Sequence, residues 1–248
     1  MSTKIVILAA GMGKRMGADV PKALIKVGGI PMLERVLASA IGSGVDPRPI
    51  VIYGHLGEKV CDSVGDRALC VLQERQLGTG DAVRVAQSAC EGAERVIVLY
   101  GDHPLVSAST IQKLAAYHES KPSPILLAVG TVSSFDGWQN IFSNFGRIVR
   151  DKQELIAAIR EYKDATEAER EIREINPGYY VFDAMWLWDN IDKLKNENVQ
   201  GEFYLTDLIQ MAVDEGLPVR TYQIPIEECV GVNKPEELEI AEKLVKPA

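Results

Sequence analysis

Two cations set behind a glycine-rich turn, Arg15 and Lys22, are the first residues of this chain whose types and spacing suggest chemistry. They follow Leu8, Ala9, Ala10, Gly11 and Gly13 in the string LAAGMGKRMGADVPKAL, Leu8 to Leu24. Small residues let a ligand come close to the backbone, and fixed positive charges in such a turn suit phosphate groups. The common phosphate motifs do not fit. A Walker A loop ends in Gly-Lys-Ser/Thr, whereas Gly13-Lys14 is followed by Arg15, and G-x-G-x-x-G fails at Met16. For a bare G-x-G, an ordinary turn with two surface cations is the plainer alternative. Asp102 is the second candidate. It ends the apolar run ERVIVLYGD, and a carboxylate at the end of a strand, facing a phosphate site, is a natural Mg²⁺ ligand.

Elements must hold these groups in place. Lys4 to Leu8 (KIVIL) is a β-branched apolar run that predicts a buried strand. Further strands are predicted over 48–54, 69–73, 94–102 and 123–132. Helices are predicted over 32–43, 58–65, 80–92 and 109–120, the last capped at Ser107 or Ser109. The second half predicts paired strands over 143–151 and 155–161, a charged helix over DATEAEREIREIN (164–176), and a strand over 178–182. A helix over 187–195, an amphipathic helix over 203–215, a strand over 219–224 and a helix over 235–245 complete it. This alternation predicts an α/β fold: a Rossmann-like, mostly parallel mixed sheet with helices on both faces. Ligands of such sheets bind beyond the carboxyl ends of the strands. That puts Asp102 and the opening turn in one site.

The chain has 248 residues, 46% of them hydrophobic and 25% charged, so it can bury a sizeable core. Its net charge of −8 and its lack of a Lys/Arg run argue against a nucleic-acid partner. No apolar stretch reaches membrane-spanning length, and no signal peptide is evident. The four cysteines show no C-x-x-C pair and read as free thiols in a reducing compartment, hence a cytoplasmic protein. One domain is expected, its halves over about 1–132 and 133–248, the second with a small inserted lobe.

The string LAAG-x-G-x-R-M followed by P-K-x-L resembles the sugar-nucleotide pyrophosphorylases, which join an NTP to a sugar 1-phosphate. QERQLGTGDAV (73–83), YGDHPL (100–105) and GVNKPEEL (231–238) match in order. NFGRI (144–148), EYKDAT (161–166), INPGYYVFD (175–183) and GEFYLTDLIQMA (201–212) look like the uridyltransferases that make UDP-N-acetylglucosamine. The resemblance implies the nucleotide-diphospho-sugar transferase fold, with a sugar-binding lobe. It also implies that Leu8, Ala9, Ala10, Gly11, Gly13, Lys22, Gln73, Gly78 and Thr79 bind the nucleotide. An amide such as Gln73 offers both a donor and an acceptor to a uracil edge, and Gly78 and Gly80 would leave room for a flat ring. A loop followed by a helix capped by Thr79 is the alternative there.

Tyr100, Gly101, Gly146, Glu161, Asn176 and Asn233 would line the sugar side, and Asp102 and Asn233 would hold Mg²⁺. For Asn233, spacing alone favours a helix cap ahead of Pro235, and His103 is given no role. Three departures stand out: Lys14 where threonine is common, Ile25 where histidine is frequent, and Pro177 after Asn176. The implied reaction is UTP plus N-acetylglucosamine 1-phosphate giving UDP-N-acetylglucosamine and pyrophosphate. In it Arg15, Lys22 and Asp102 carry the catalysis by positioning and charge neutralisation. Another sugar 1-phosphate or NTP (glucose 1-phosphate, dTTP, CTP), or a non-catalytic nucleotide-sugar-binding module, are the alternatives. The left-handed β-helix of hexapeptide repeats found in bifunctional relatives is not present in this sequence. A monomer is therefore expected, either a stand-alone enzyme or part of a longer one.

Overall fold

The computed structural model describes residues 2–11, 20–54, 57–198 and 200–245. Arg15, Gly13 and Lys14 lie outside the described residues. The chain opens with β1 (Thr3–Leu8), the small hairpin β2 (Lys26–Val27) and β3 (Ile30–Pro31), and α1 (Met32–Gly42). There follow β4 (Ile50–Tyr53), α2 (Glu58–Val64), β5 (Leu69–Leu72), α3 (Thr79–Arg84), β6 (Arg95–Tyr100), α4 (Ala108–Ser120) and β7 (Ile125–Thr131). The second half contributes β8 (Gly146–Arg150), β9 (Ile156–Arg160), α5 (Glu167–Arg170), β10 (Glu174–Asn176), β11 (Tyr180–Asp183) and α6 (Ala184–Asn190). It closes with α7 (Asp207–Asp214), β12 (Val219–Gln223) and α8 (Pro235–Leu244).

Ten strands form one sheet in the order β5-β4-β1-β6-β11-β7-β10-β8-β9, with β12 also on β7. Strands β1, β4, β5, β6, β7 and β12 all run one way, while β11 lies antiparallel between β6 and β7. The sheet is thus mixed and mostly parallel where the opening turn leaves it, and antiparallel in the β10-β8-β9 extension. Ile5 and Ile7 of β1 face one core, built with α1 and α4; Val6 and Leu8 face the other, built with α3, α6 and α7. Burial on both faces explains why these strands read as unbroken apolar runs. Ser107 caps α4, its hydroxyl accepting from Thr110 N–H at 3.1 Å. Among the described residues, no helix is long and apolar enough to cross a membrane.

Four expectations are corrected. The charged helix predicted over 164–176 is only the four residues of α5, because Glu174–Asn176 pair with β7 and β8 as β10. Residues 203–206 precede α7 rather than belong to it, since their backbone is taken up by the Gly78 turn. The helix expected over 80–92 stops at Arg84 and resumes as a 3-10 turn at Gln87. Finally, Cys61 and Cys70 are not free thiols. Helix α2 returns at once into β5, which sets their Cα atoms 6.0 Å apart in a disulfide. Cys90 and Cys229 are free and buried.

Candidate functional site

The opening turn leaves β1 between the ends of β4 and β6. Ala9 N–H donates to Ile52 C=O at 2.8 Å, and Gly101 N–H donates to Leu8 C=O at 2.9 Å. The carboxyl ends of three neighbouring parallel strands therefore meet at Leu8, Ala9 and Ala10. The Gln76 side-chain amide donates to Ala10 C=O and ties in the loop after β5. Sequence reasoning missed Gln76. Its signal was only a polar residue in a loop already marked for other reasons.

Lys22 is 8% exposed, carried on a short 3-10 turn over Lys22–Leu24. Its stem passes Gly11, where an added Cβ would lie 3.9 Å from Cδ. Its ammonium donates to Asp102 Oδ2 and, at 2.7 Å, to Asn233 Oδ1. Three residues some eighty and two hundred positions apart thus share one point. Asn233 does not cap α8. Its side chain serves Lys22, while Glu237 accepts from the Asn233 and Lys234 backbone N–H groups.

Burial alone would push the Asp102 carboxyl up; the Lys22 ammonium and His103 reverse this and hold it below the usual carboxylate range. Asp102 Oδ1 is buried with no hydrogen-bond partner among the described residues. It faces His103 Nδ1, equally unpartnered, at 3.9 Å. His103 lies edge-on to Tyr100 and Tyr179, and burial pushes its imidazole below the ordinary value against the pull of the Asp102 carboxylate. Two hard oxygen donors, Asp102 Oδ2 and Asn233 Oδ1, beside a carboxylate Oδ1 without a partner among the described residues suit a magnesium ion that keeps other ligands from phosphate and water.

Across Tyr100 lies the second group of expected residues. Gly146 and Asn176 are register partners between β8 and β10. A Cβ at Gly146 would stand 3.4 Å from Glu161 Oε1. Asn176 Nδ2 donates to the Tyr180 hydroxyl at 2.8 Å, and its Oδ1 accepts from Gly178 N–H at 3.0 Å. Gly178, at φ +90°, lets the turn pass over the Tyr100 ring; a Cβ there would be 2.8 Å from Tyr100 Cε2. Glu161 is exposed as a residue, yet desolvation of its carboxyl end and the nearby Asp164 carboxylate raise it above the ordinary range. Solvent access keeps the energetic weight of that shift small. The structure therefore brings Tyr100, Gly146, Glu161 and Asn176 together, and adds Tyr180, which the sequence reading did not name as a ligand.

Gln73, only 2% exposed, follows β5 and donates through Nε2 to Gly78 C=O at 3.1 Å and to Asp81 Oδ2 at 2.8 Å. Both amide hydrogens are thereby used, so the side chain offers an acceptor to any ligand, and not the donor-acceptor pair expected. The glycines beside it are also explained differently. Gly78 has φ +111°, and a Cβ there would meet Phe203 C=O oxygen at 2.5 Å. A Cβ at Gly80 would meet Leu194 Cδ1, also at 2.5 Å. The space these glycines leave is filled by the protein itself. Gly80 N–H donates to Phe203 C=O at 2.8 Å, and Phe203 N–H to Leu77 C=O at 2.7 Å. Thr79 is the first residue of α3 and not its cap; its hydroxyl accepts from Leu205 N–H at 3.0 Å.

Residues 5–178 match the MobA-like NTP transferase domain. The chain is 40% identical over 248 residues to the bifunctional protein GlmU of Alkaliphilus metalliredigens (strain QYMF), covering 99% of this chain and 52% of that protein. It is 39% identical over 243 residues to the bifunctional protein GlmU of Exiguobacterium sp. (strain ATCC BAA-1283 / AT1b), again covering 52% of that protein. The chain thus spans about half the length of these curated relatives. Among solved structures, a putative glucose-1-phosphate thymidylyltransferase from Bacillus anthracis, in complex with a sucrose, superimposes with a TM-score of 0.77 at 20% identity, covering 98% of this chain and 95% of the other. A CMP:2-keto-3-deoxy-manno-octonic acid synthetase complexed with CTP gives 0.69 at 18% identity, covering 98% of both. At such identities these two share the fold alone. The sequence match takes in β1, the turn, Lys22, Asp102 and the chain as far as Gly178, and by it the chain belongs to the MobA-like NTP transferase domain family.

Proposed function

We propose that this chain transfers the uridylyl group of UTP to N-acetylglucosamine 1-phosphate, releasing pyrophosphate. The observation that carries the reading is the convergence of Lys22 on Asp102 and Asn233, beside the glycine turn and across Tyr100 from Glu161 and Asn176. A phosphate site and a wall of hydroxyl-binding groups then share one edge of the sheet. The similarity to the GlmU proteins supports the choice of sugar and nucleotide.

The sugar phosphate is already an anionic nucleophile, so the in-line attack on the α-phosphorus needs no protein base. Positioning and charge neutralisation supply the catalysis. Lys22 exchanges Asp102 and Asn233 for phosphate oxygens as the triphosphate enters, and stabilises the charge that moves to the leaving pyrophosphate. Arg15 is assigned the same task on the strength of the sequence motif. Asp102 and Asn233, once released, would hold Mg²⁺. When bound, the ion supplies further neutralisation of the phosphates. Glu161 and Asn176 accept from and donate to the sugar's hydroxyl and amide groups, and Gly146 offers its backbone.

The test is Mg²⁺-dependent pyrophosphate release from UTP, CTP or dTTP with N-acetylglucosamine 1-phosphate or glucose 1-phosphate. Preference for UTP with the acetylated sugar is expected. Preference for glucose 1-phosphate would retain the transferase and discard the amino-sugar assignment, and no release with any pair would leave a binding module.

A further inference from the structure

We propose that Asp81, held by Arg84, sets the nucleotide selectivity of the site by fixing which end of the Gln73 amide faces the base. This rests on the uridyltransferase reading above and on the resemblance by which Gln73 meets the base. A glutamine amide can rotate by half a turn and present either a donor or an acceptor, at little cost in shape. Here the flipped form is forbidden by chemistry. Gln73 Nε2 sits 2.8 Å from Asp81 Oδ2 and 3.1 Å from Gly78 C=O. Both partners only accept, so a flip would set Oε1 against two oxygens in a site from which water is nearly excluded.

Asp81 is itself 5% exposed and cannot turn away. Its other oxygen, Oδ1, accepts from Arg84 Nη2, and the Arg84 guanidinium lies 5.4 Å from the centre of the Phe203 ring. Phe203 belongs to the segment that closes over Gly78 and Gly80. The order is therefore Phe203, Arg84, Asp81, Gln73. Its last member offers a carbonyl oxygen and nothing else. Such an acceptor matches the N3–H of a uracil ring and opposes the bare N3 of cytosine. Asp81 is a positioning residue: it acts on the nucleotide through Gln73.

Asparagine at this position has one oxygen for two donors. The charged Arg84 takes it, the new NH₂ faces Gln73, and Gln73 is free to flip. The experiment measures UTP and CTP affinity by titration calorimetry, and kcat/KM for pyrophosphate release, in the unaltered protein, Asp81→Asn, and Asp81→Asn with Arg84→Met. The UTP/CTP ratio is expected to fall about tenfold or more in Asp81→Asn. It should recover in the double variant, where the introduced amide oxygen can turn back to Gln73. A general loss of structure around this position would lower both nucleotides together and would not be rescued by removing Arg84.

An unchanged ratio in a folded Asp81→Asn overturns the proposal, as does failure of the double variant to restore it. Where Asp81→Asn does not fold, the unaltered protein is titrated with N3-methyl-UTP. Binding at least about tenfold weaker than UTP is expected, and equal binding overturns the acceptor-only orientation. If the unaltered protein binds neither nucleotide, or prefers CTP, the uridyltransferase reading itself fails and takes this inference with it.

Discussion

Lys22 stands between two oxygens with its stem against the glycine turn, so its loss touches charge and geometry together. Lys22→Ala is expected to lower kcat by about 10²-fold or more, as removal of a transition-state charge partner does. Steady-state kinetics at saturating Mg²⁺ check it, and a change confined to KM would assign Lys22 to binding alone. Glu161→Gln removes a charge from the wall proposed to hold the sugar while keeping its shape. The expected result is a raised KM for the sugar phosphate with kcat within about threefold, since the proposed interaction would be made in both ground and transition states.

At this scale the sequence was legible where a motif marked the residue: Lys22 and Asp102, which the structure brings into contact, were both named from type and place. It was illegible where a side chain's partner decides what it can offer. Gln73 carries two donors and an acceptor on paper, and only Asp81 and Gly78 leave it the acceptor. Asn233 looked like a helix cap because Pro235 follows it, whereas its oxygen turns to a lysine 211 residues away.

Among the elements, the β8-β9 pair depends on a buried cation. Arg147 is 1% exposed, and its hydrogen bonds among the described residues go to backbone carbonyls and to no carboxylate. Its guanidinium donates to Phe142, Phe145, Ser143 and Arg170 carbonyls and lies 4.4 Å from the centre of the Phe135 ring. Burial accordingly lowers its pKa. Arg147→Met would leave several carbonyls unpaired at about 1–3 kcal/mol for the most buried of them. We expect a loss of about 3 kcal/mol in denaturant unfolding and a higher KM for the sugar phosphate, because Gly146 precedes it directly. Gly78→Ala belongs to the same scale. The φ of +111° and the Phe203 backbone at 2.5 Å predict more than about 2 kcal/mol of destabilisation. The doubly buried strands were readable from their apolar runs. Segments 164–176 and 203–206 were not, because their polar, helix-prone residues are claimed by distant backbone: β10 by β7 and β8, and Phe203 by the Gly78 turn. Such pairing overrides local propensity.

For the whole molecule, acid lability follows from two buried imidazoles and one carboxylate. Burial lowers the pKa of both His103 and His118, the latter held through Nε2 to Ser123 C=O at 2.8 Å. Between their folded values and about 6.5 the unfolded chain binds more protons, so stability rises with pH through that window and is lost as pH falls through it. Asp102, lowered by Lys22, adds stability above about 4 that disappears below it. The melting temperature should therefore drop in two steps on acidification, and His118→Gln should flatten the upper one. A melting temperature constant between about pH 7 and 5 would contradict the buried-imidazole account.

The α/β class and the meeting of Asp102 with the opening turn were legible from the alternation of elements. The ordering of strands was not, because β11 carries no mark of which neighbours it takes. That strand has a consequence for how the protein is made. β6 and β7 follow one another along the chain, yet in the sheet a strand from residues 180–183 separates them. A nascent chain that has emerged only through β7 has two buried-type strands with open edges facing each other across a missing strand. The sheet between β6 and β7 can thus close on the ribosome only after Asp183 has cleared the exit tunnel.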